Sequence, residues 1–120
     1  MFEDVARAAT TRDPAAVAAL NNDPLTAGEV QPAITVAALV RADERLREEF
    51  PRITMPLLIM HGTDDRATVC RGSEFFYETA GSSDKTLKLY EGHYHDLLND
   101  VGKDTVLADI RAWIDRRIGA

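Results

Sequence analysis

Met55-Pro56-Leu57-Leu58-Ile59-Met60-His61-Gly62-Thr63-Asp64-Asp65-Arg66 begins with an unbroken apolar run, turns on a glycine and ends in two carboxylates. A run without polar alternation reads as a strand buried on both faces, as in the centre of a parallel sheet. A buried helix segment has the same composition, but Pro56 before it and Gly62 after it hold it to strand length. In open parallel sheets the chemistry collects in loops beyond the carboxyl ends of the strands. Asp64 and Asp65 lie in such a loop. Spacing alone leaves two readings open for them, a functional carboxylate or a polar turn that caps the next helix.

From residue 53 onward the pattern alternates between strand and helix. Leu57 to His61 reads as the first strand, and Arg71 to Ala80 as a helix carrying Phe75, Phe76 and Ala80, with Gly81 as its stop. Thr86-Leu87-Lys88-Leu89-Tyr90 alternates polar and apolar residues, as an edge-like strand does. The loop Glu91-Gly92-His93-Tyr94-His95-Asp96 follows. A final helix, capped by Asp104 and closed by Gly119, would turn Val106, Leu107, Ile110, Trp113, Ile114 and Ile118 inward. The order β-α-β-α predicts two parallel strands joined by a right-handed crossover.

Residues 1–50 read as helices, and Pro51 stops the last of them. Phe2, Val5 and Ala8/Ala9 recur at helical spacing. Asp13 is a suitable cap for a short helix with Pro14 at its first position, where a missing N–H costs nothing. Val17 and Leu20 would form its buried side, and Asn21-Asn22-Asp23-Pro24 breaks it. A longer helix is expected from Pro32 to Glu49, with Val36, Leu39, Val40, Leu46 and Phe50 on one stripe. That stripe reads as packing rather than as a lipid groove.

Composition narrows the function. At 120 residues, 45% of them apolar, the chain is one domain or a piece of one. A net charge of -6 and the lack of a basic cluster with interleaved aromatics argue against nucleic acid. No apolar run approaches the roughly 18 residues that span a bilayer, and residues 1–20 lack a secretion-signal pattern. The single cysteine, Cys70, excludes an internal disulfide and fits a reducing compartment, so a cytoplasmic location is expected.

Loops leaving the ends of neighbouring parallel strands are adjacent, because the strands lie about 4.8 Å apart. A carboxylate from 64–65 can therefore meet His93 or His95. Such a carboxylate fixes the imidazole tautomer and stabilises the imidazolium formed when histidine accepts a proton. His93, His95 and a carboxylate could also suggest a metal, but no third ligand follows at a recognised spacing. His61, at the strand end, is expected in a core or hydrogen-bonding role.

With these motifs in view, residues 53–120 resemble the carboxyl-terminal part of an α/β-hydrolase of the monoacylglycerol lipase and lysophospholipase group (serine aminopeptidase S33-like). The motifs are the 56–66 stretch and Lys88-Leu89-Tyr90-Glu91-Gly92-His93-Tyr94-His95. Arg12-Asp13-Pro14 and Asn22-Asp23-Pro24-Leu25 look like the end of that family's helical cap. The resemblance implies an α/β fold in which residues 1–52 are a cap remnant and residues 53–120 a β-α-β-α part of the core. It implies Asp65 as triad acid, at the D of G-x-x-D-R, Asp64 as its exposed neighbour, and His95 as catalytic base, with His93 at a variable position. It implies no metal or organic cofactor and a lipid ester substrate.

The family's nucleophile motif G-x-S-x-G is missing from these 120 residues. Ser73 follows Gly72, but Phe75 stands where the second glycine belongs, and Ser82 and Ser83 read as solvated linker. Loss of the nucleophile costs on the order of a million-fold, roughly 8 kcal/mol of transition-state stabilisation. The chain alone is therefore expected to be inactive. The apolar strand has only one partner strand in the sequence, and an uncovered edge invites pairing. The expected partner is the missing amino-terminal half in trans, or a second copy through the open edge. The competing expectation is a non-catalytic remnant that acts as an interaction or binding module.

Overall fold

The structure, a computed structural model, describes residues 10–25 and 32–119. The expected helix around Phe2, Val5 and Ala8/Ala9 lies outside these residues. In chain order the elements are α1 (Pro14–Asn22), α2 (Ala33–Glu49), a 3-10 turn (Phe50–Arg52), β1 (Leu57–Gly62), α3 (Cys70–Thr79), β2 (Lys85–Tyr90) and α4 (Lys103–Ile118). β1 and β2 pair in parallel, from Leu57 opposite Lys85 to Gly62 opposite Tyr90. Among the described residues they form a two-stranded sheet. Two parallel strands with flanking helices is the architecture expected of the carboxyl-terminal part of an α/β-hydrolase.

Local chemistry accounts for most of the boundaries. The Asp13 side chain accepts from Ala15 N at 2.8 Å, and Pro14 occupies the first turn of α1. Beyond α2, Phe50 stacks on Phe76 at 4.4 Å and Phe75 at 6.1 Å, so the long helix is pinned to α3. α4 ends on Gly119 at φ 75°, a left-handed cap that glycine adopts without strain.

One glycine and one helix cap differ from expectation. α3 ends at Thr79, and Ala80 caps it in an extended conformation. Gly81 is therefore not a left-handed stop. A Cβ there would lie 2.0 Å from Pro51 O, so the residue is required by the close passage of the 3-10 turn. At the start of α4 the cap is Gly102, at φ 92°, and Asp104 stands inside the first turn. There a carboxylate complements the positive end of the helix dipole without bonding a terminal N–H.

The core is small. Tyr90, Leu97 and Val106 form its buried centre, with Met60 and Ile110 packed against them, and Ile59 and Ala80 are buried beside the sheet. Along β1 only Ile59 and Gly62 are buried, whereas Leu57, Leu58 and Met60 are half-buried. A central-type strand with one neighbour is covered on one side only. The same shortage of partners corrects two expectations. Leu107, Ile114 and Ile118 of α4 are exposed rather than inward. Val36, Leu39, Val40 and Leu46 of α2 are exposed as well, Leu39 by 58%, so of the expected stripe only Phe50 packs, against Phe75 and Phe76. No helix among them is long and apolar enough to cross a membrane.

Val106 is fully buried whereas Leu107 is not, and this difference is measurable. Val106→Ala should lower the unfolding free energy by about 2 kcal/mol in urea titrations. Leu107→Ala should change it by less than about 0.5 kcal/mol. Equal losses would contradict this placement of the core.

Candidate active site

Because β1 and β2 run parallel and in register, the loops after Gly62 and Tyr90 leave the same end of the sheet. Backbone bonds stitch them together. Thr63 N donates to Tyr90 O at 3.0 Å, Asp64 N to His93 O at 3.0 Å, and Gly92 N to Thr63 Oγ1 at 2.8 Å. Only glycine fits at the end of β1. A Cβ on Gly62 would lie 2.3 Å from His93 O and 2.5 Å from Tyr94 O.

This closeness brings Asp65 to His95. His95 Nδ1 donates to Asp65 Oδ2 at 2.8 Å, across 30 residues of sequence. Oδ2 also accepts from Thr68 Oγ1 at 2.8 Å. Oδ1 accepts from Ala67 N at 2.7 Å and Thr68 N at 2.9 Å. The Asp65 side chain is 3% exposed and that of His95 44%. Burial by itself would raise the Asp65 pKa. The hydrogen bonds from His95, from Thr68 through its backbone and side chain, and from Ala67 outweigh it and hold the carboxyl far below the usual range. Asp65 is therefore an anion. With Nδ1 committed to that anion, Nε2 is the basic atom of His95.

The other candidates fall elsewhere. Asp64, next to Asp65, is exposed, as expected. His93 turns away, its Nδ1 3.2 Å from Glu91 O and its Nε2 buried against Gly102 without a hydrogen-bond partner among the described residues. His93 and His95 thus engage different partners, and no group of three or more metal-ligating side chains forms among the described residues. Ser82 is not solvated linker. It is buried, donates to Asp84 O and accepts from Asp84 N, which closes the turn before β2. Ser83 is exposed. Ser73 bonds His61 Nδ1 at 2.7 Å and has no bond to His95.

His61 is closer to Asp65 than its place at a strand end suggests. Its Nε2 lies 3.0 Å from Asp65 Oδ2. The local spacing of four residues could have flagged this contact, but a strand followed by a turn has no fixed i,i+4 geometry. A small cavity of about 90 Å³ opens between Met60, His61, Gly62, Asp65, Thr68 and His95. Larger hollows of about 190 and 340 Å³ lie along α1 and between α2 and α3, and contain neither Asp65 nor His95. Chemistry rather than size marks the site.

The loop bearing His95 is also held from the amino-terminal side. Asp96 N donates to Thr10 O at 2.8 Å, and Thr11 Oγ1 to Asn99 O at 2.8 Å. The buried Asp100 carboxylate accepts from Arg12 N, Tyr94 N and Val101 N at 2.7, 2.9 and 2.8 Å, and pairs with the Arg12 guanidinium at 3.0 Å. Burial raises the Asp100 pKa, but those backbone donors and Arg12 win and the net shift is downward. Arg12, in the Arg12-Asp13-Pro14 motif, has its partner 88 residues away, beyond the reach of any local pattern.

The sign of the pH dependence follows. Asp65 and Asp100 both have folded-state pKa values below the unfolded value of about 3.9. Their stabilisation is present above that pH and is lost as pH falls toward the folded values. Urea unfolding across pH 7 to 2.5 should show stability falling below about pH 4. Asp100→Asn should be less stable at neutral pH and flatter in acid, and an unchanged acid slope would contradict this assignment.

A family model described as serine aminopeptidase, S33, matches residues 3–102. The chain is 41% identical over 87 residues to a caffeoylshikimate esterase of Arabidopsis thaliana, covering 70% of this chain and 26% of the relative. It is 35% identical over 106 residues to a monoacylglycerol lipase of Mycolicibacterium smegmatis, covering 88% of this chain and 38% of the relative. With a monoglyceride lipase of Mus musculus it shares 34% identity over 112 residues, 92% of this chain and 37% of the relative. Among solved structures, a soluble variant of the Saccharomyces cerevisiae monoglyceride lipase in complex with a substrate analog superposes with a TM-score of 0.81 at 28% identity, over 92% of this chain and 41% of that one. The Paleococcus ferrophilus monoacylglycerol lipase superposes with a TM-score of 0.80 at 28% identity, over 89% and 42%. The chain thus spans well under half the length of the relatives it matches. With a family match over 3–102 and the fold of the lipase neighbours, this chain belongs to the serine aminopeptidase S33 family of α/β-hydrolases and is monoglyceride lipase-like.

Proposed function

We propose that these residues supply the acid and the base of a serine carboxylic ester hydrolase acting on monoacylglycerol or lysophospholipid. The observation that carries this reading is the 2.8 Å bond between His95 Nδ1 and the ionised Asp65, held between two adjacent loops at the end of the parallel strands. A serine from outside these 120 residues attacks the ester carbonyl. His95 Nε2 takes its proton, Asp65 stabilises the imidazolium, and His95 returns the proton to the departing glycerol oxygen. Water then repeats the cycle on the acyl-enzyme and releases the fatty acid. The carboxylate is suited to that role because its low pKa keeps it charged across the working range.

The nucleophile has no candidate within the chain, since Ser73 is engaged with His61 and no G-x-S-x-G occurs. In this reading residues 1–52 are the end of the cap and residues 53–120 the end of the core. The remainder, in a longer chain or in trans, pairs with the free edge of β1 and covers the exposed stripe of α2. A second copy using that edge is the alternative partner. A cytoplasmic location goes with this reading, in keeping with the unpaired Cys70. The missing elbow is the one feature that favours a non-catalytic binding module instead. The intact and fully hydrogen-bonded Asp65 favours the enzyme.

The test is reconstitution. The 120-residue chain should show no serine-dependent hydrolysis of a monoacylglycerol alone, and should gain it with an amino-terminal lipase half carrying the strand, elbow and start of the cap. Asp65→Asn and His95→Ala should each lower kcat by about 10⁴-fold or more in that complex. A complex equally active with His95→Ala would refute the assignment, and turnover by the lone chain would refute the missing nucleophile.

A further inference from the structure

We propose that His61 is a positioning residue for the site: a second imidazole, held by Ser73, that fixes the Asp65 carboxylate and moderates its pull on His95. The proposal rests on the Asp65–His95 pair being the acid and base. It starts from the two ends of the His61 ring. Nδ1 meets Ser73 Oγ of α3 at 2.7 Å, and Nε2 lies 3.0 Å from Asp65 Oδ2 and 3.5 Å from Thr68 Oγ1. The side chain is 10% exposed, so water does little to screen these contacts.

The ring has two neutral tautomers, and the carboxylate discriminates between them. If Nδ1 carried the proton, the Nε2 lone pair would face an anionic oxygen at 3.0 Å. With the proton on Nε2 the positive side of the ring lies toward that oxygen instead, a close charge–dipole approach rather than a hydrogen bond, and Nδ1 is free to accept from the Ser73 hydroxyl. The Ser73 hydroxyl, which can donate, accommodates the tautomer that Asp65 selects. Asp65 Oδ2 is consequently shared by Thr68 Oγ1, His95 Nδ1 and the approaching His61 Nε2. A carboxylate that already faces one imidazole is a weaker attractor for the next. His61 anchors Asp65 from the strand side and takes a share of the charge that faces His95.

The surrounding groups leave this interplay undisturbed. From the loop after β1, Asp64 is exposed and its backbone N is committed to His93 O. Arg66 lies over the Tyr94 ring at 4.5 Å. From α3, Glu74, Arg71 and Cys70 are the titratable or charged groups nearest in sequence to Ser73. The Cys70 thiol is pushed up by burial and by the charges of Glu74 and Asp65, which keeps it neutral. From the loop after β2 the facing group is His95, followed by Asp96, whose side chain accepts from Asn99.

The test is a proton and nitrogen NMR titration of the histidines in the 120-residue chain, which needs no nucleophile. Asp65→Asn should lower the His95 midpoint. His61→Leu should raise it by roughly half a pH unit, and His61→Gln, which keeps an amide donor, should restore most of the original value. The nitrogen shifts of His61 should report the Nε2-protonated form, and Asp65→Asn should let the Nδ1-protonated form appear. In the reconstituted enzyme the acid limb of the kcat/KM profile should move upward in pH with His61→Leu. If Asp65→Asn moves His95 but His61→Leu does not, His61 is only packing and the proposal is overturned. If Asp65→Asn also leaves His95 unmoved, the acid–base pair itself fails. Should His61→Leu not fold, the His61 tautomer decides, since one left unchanged by Asp65→Asn overturns the proposal.

Discussion

The parallel pairing of Leu57–Gly62 with Lys85–Tyr90 is the constraint on which the rest depends. It points two loops the same way, and Gly62 lets them touch where any side chain would collide with His93 O. From that contact come the Thr63, Asp64 and Gly92 backbone bonds, and from those the meeting of Asp65 with His95. A rigid sheet end is a good place for chemistry, because positions on it are held more closely than on a free loop. The geometry of the pair is thus inherited from backbone hydrogen bonding rather than from the attraction of the two side chains.

Two buried carboxylates organise this end of the molecule, and each is satisfied. Asp65 receives N–H donors on one oxygen, and a hydroxyl and an imidazole on the other. Asp100 receives three backbone N–H groups and the Arg12 guanidinium. An unpaired buried charge would cost several kcal/mol, so such anions persist only inside complete donor sets. Their placement differs in purpose. Asp65 faces the exposed imidazole of His95, whereas Asp100 faces inward and ties the lead-in to α1 to the loop that carries that imidazole. The ion pair of Lys88 with Asp109 and that of Arg117 with Asp84 are more exposed, and such pairs contribute little.

The outer surfaces have a different logic. Half-buried Leu57, Leu58 and Met60, the exposed stripe of α2, and Leu107, Ile114 and Ile118 of α4 have the composition of interior residues without interior surroundings. The relatives this chain matches are more than twice its length. An apolar sheet face with one strand neighbour and two apolar helix faces are what a larger α/β core would cover. The proposed partner segment and the proposed nucleophile therefore meet the same need.

How much of this was legible beforehand follows the range of the interactions. The unbroken Leu57–Met60 run, bounded by Pro56 and Gly62, was enough to place β1, because burial on two faces writes itself into consecutive residues. Asp13 and Pro14 marked the start of α1, and Gly119 the end of α4, since capping involves near neighbours. The loop position of Asp65 and the second histidine of the later motif pointed to the pair, with the resemblance choosing His95 over His93. Packing decided the rest. Gly81 answers to Pro51, Gly102 rather than Asp104 caps α4, and Ser73 reaches His61 instead of forming an elbow. Arg12 finds Asp100 across 88 residues, a contact no local period encodes. The sequence by itself determined the strands, most helix boundaries and the acid and base candidates, because those depend on short-range pattern. Only the tertiary structure decided which side chains share an oxygen of Asp65, because that depends on where the sheet ends in space.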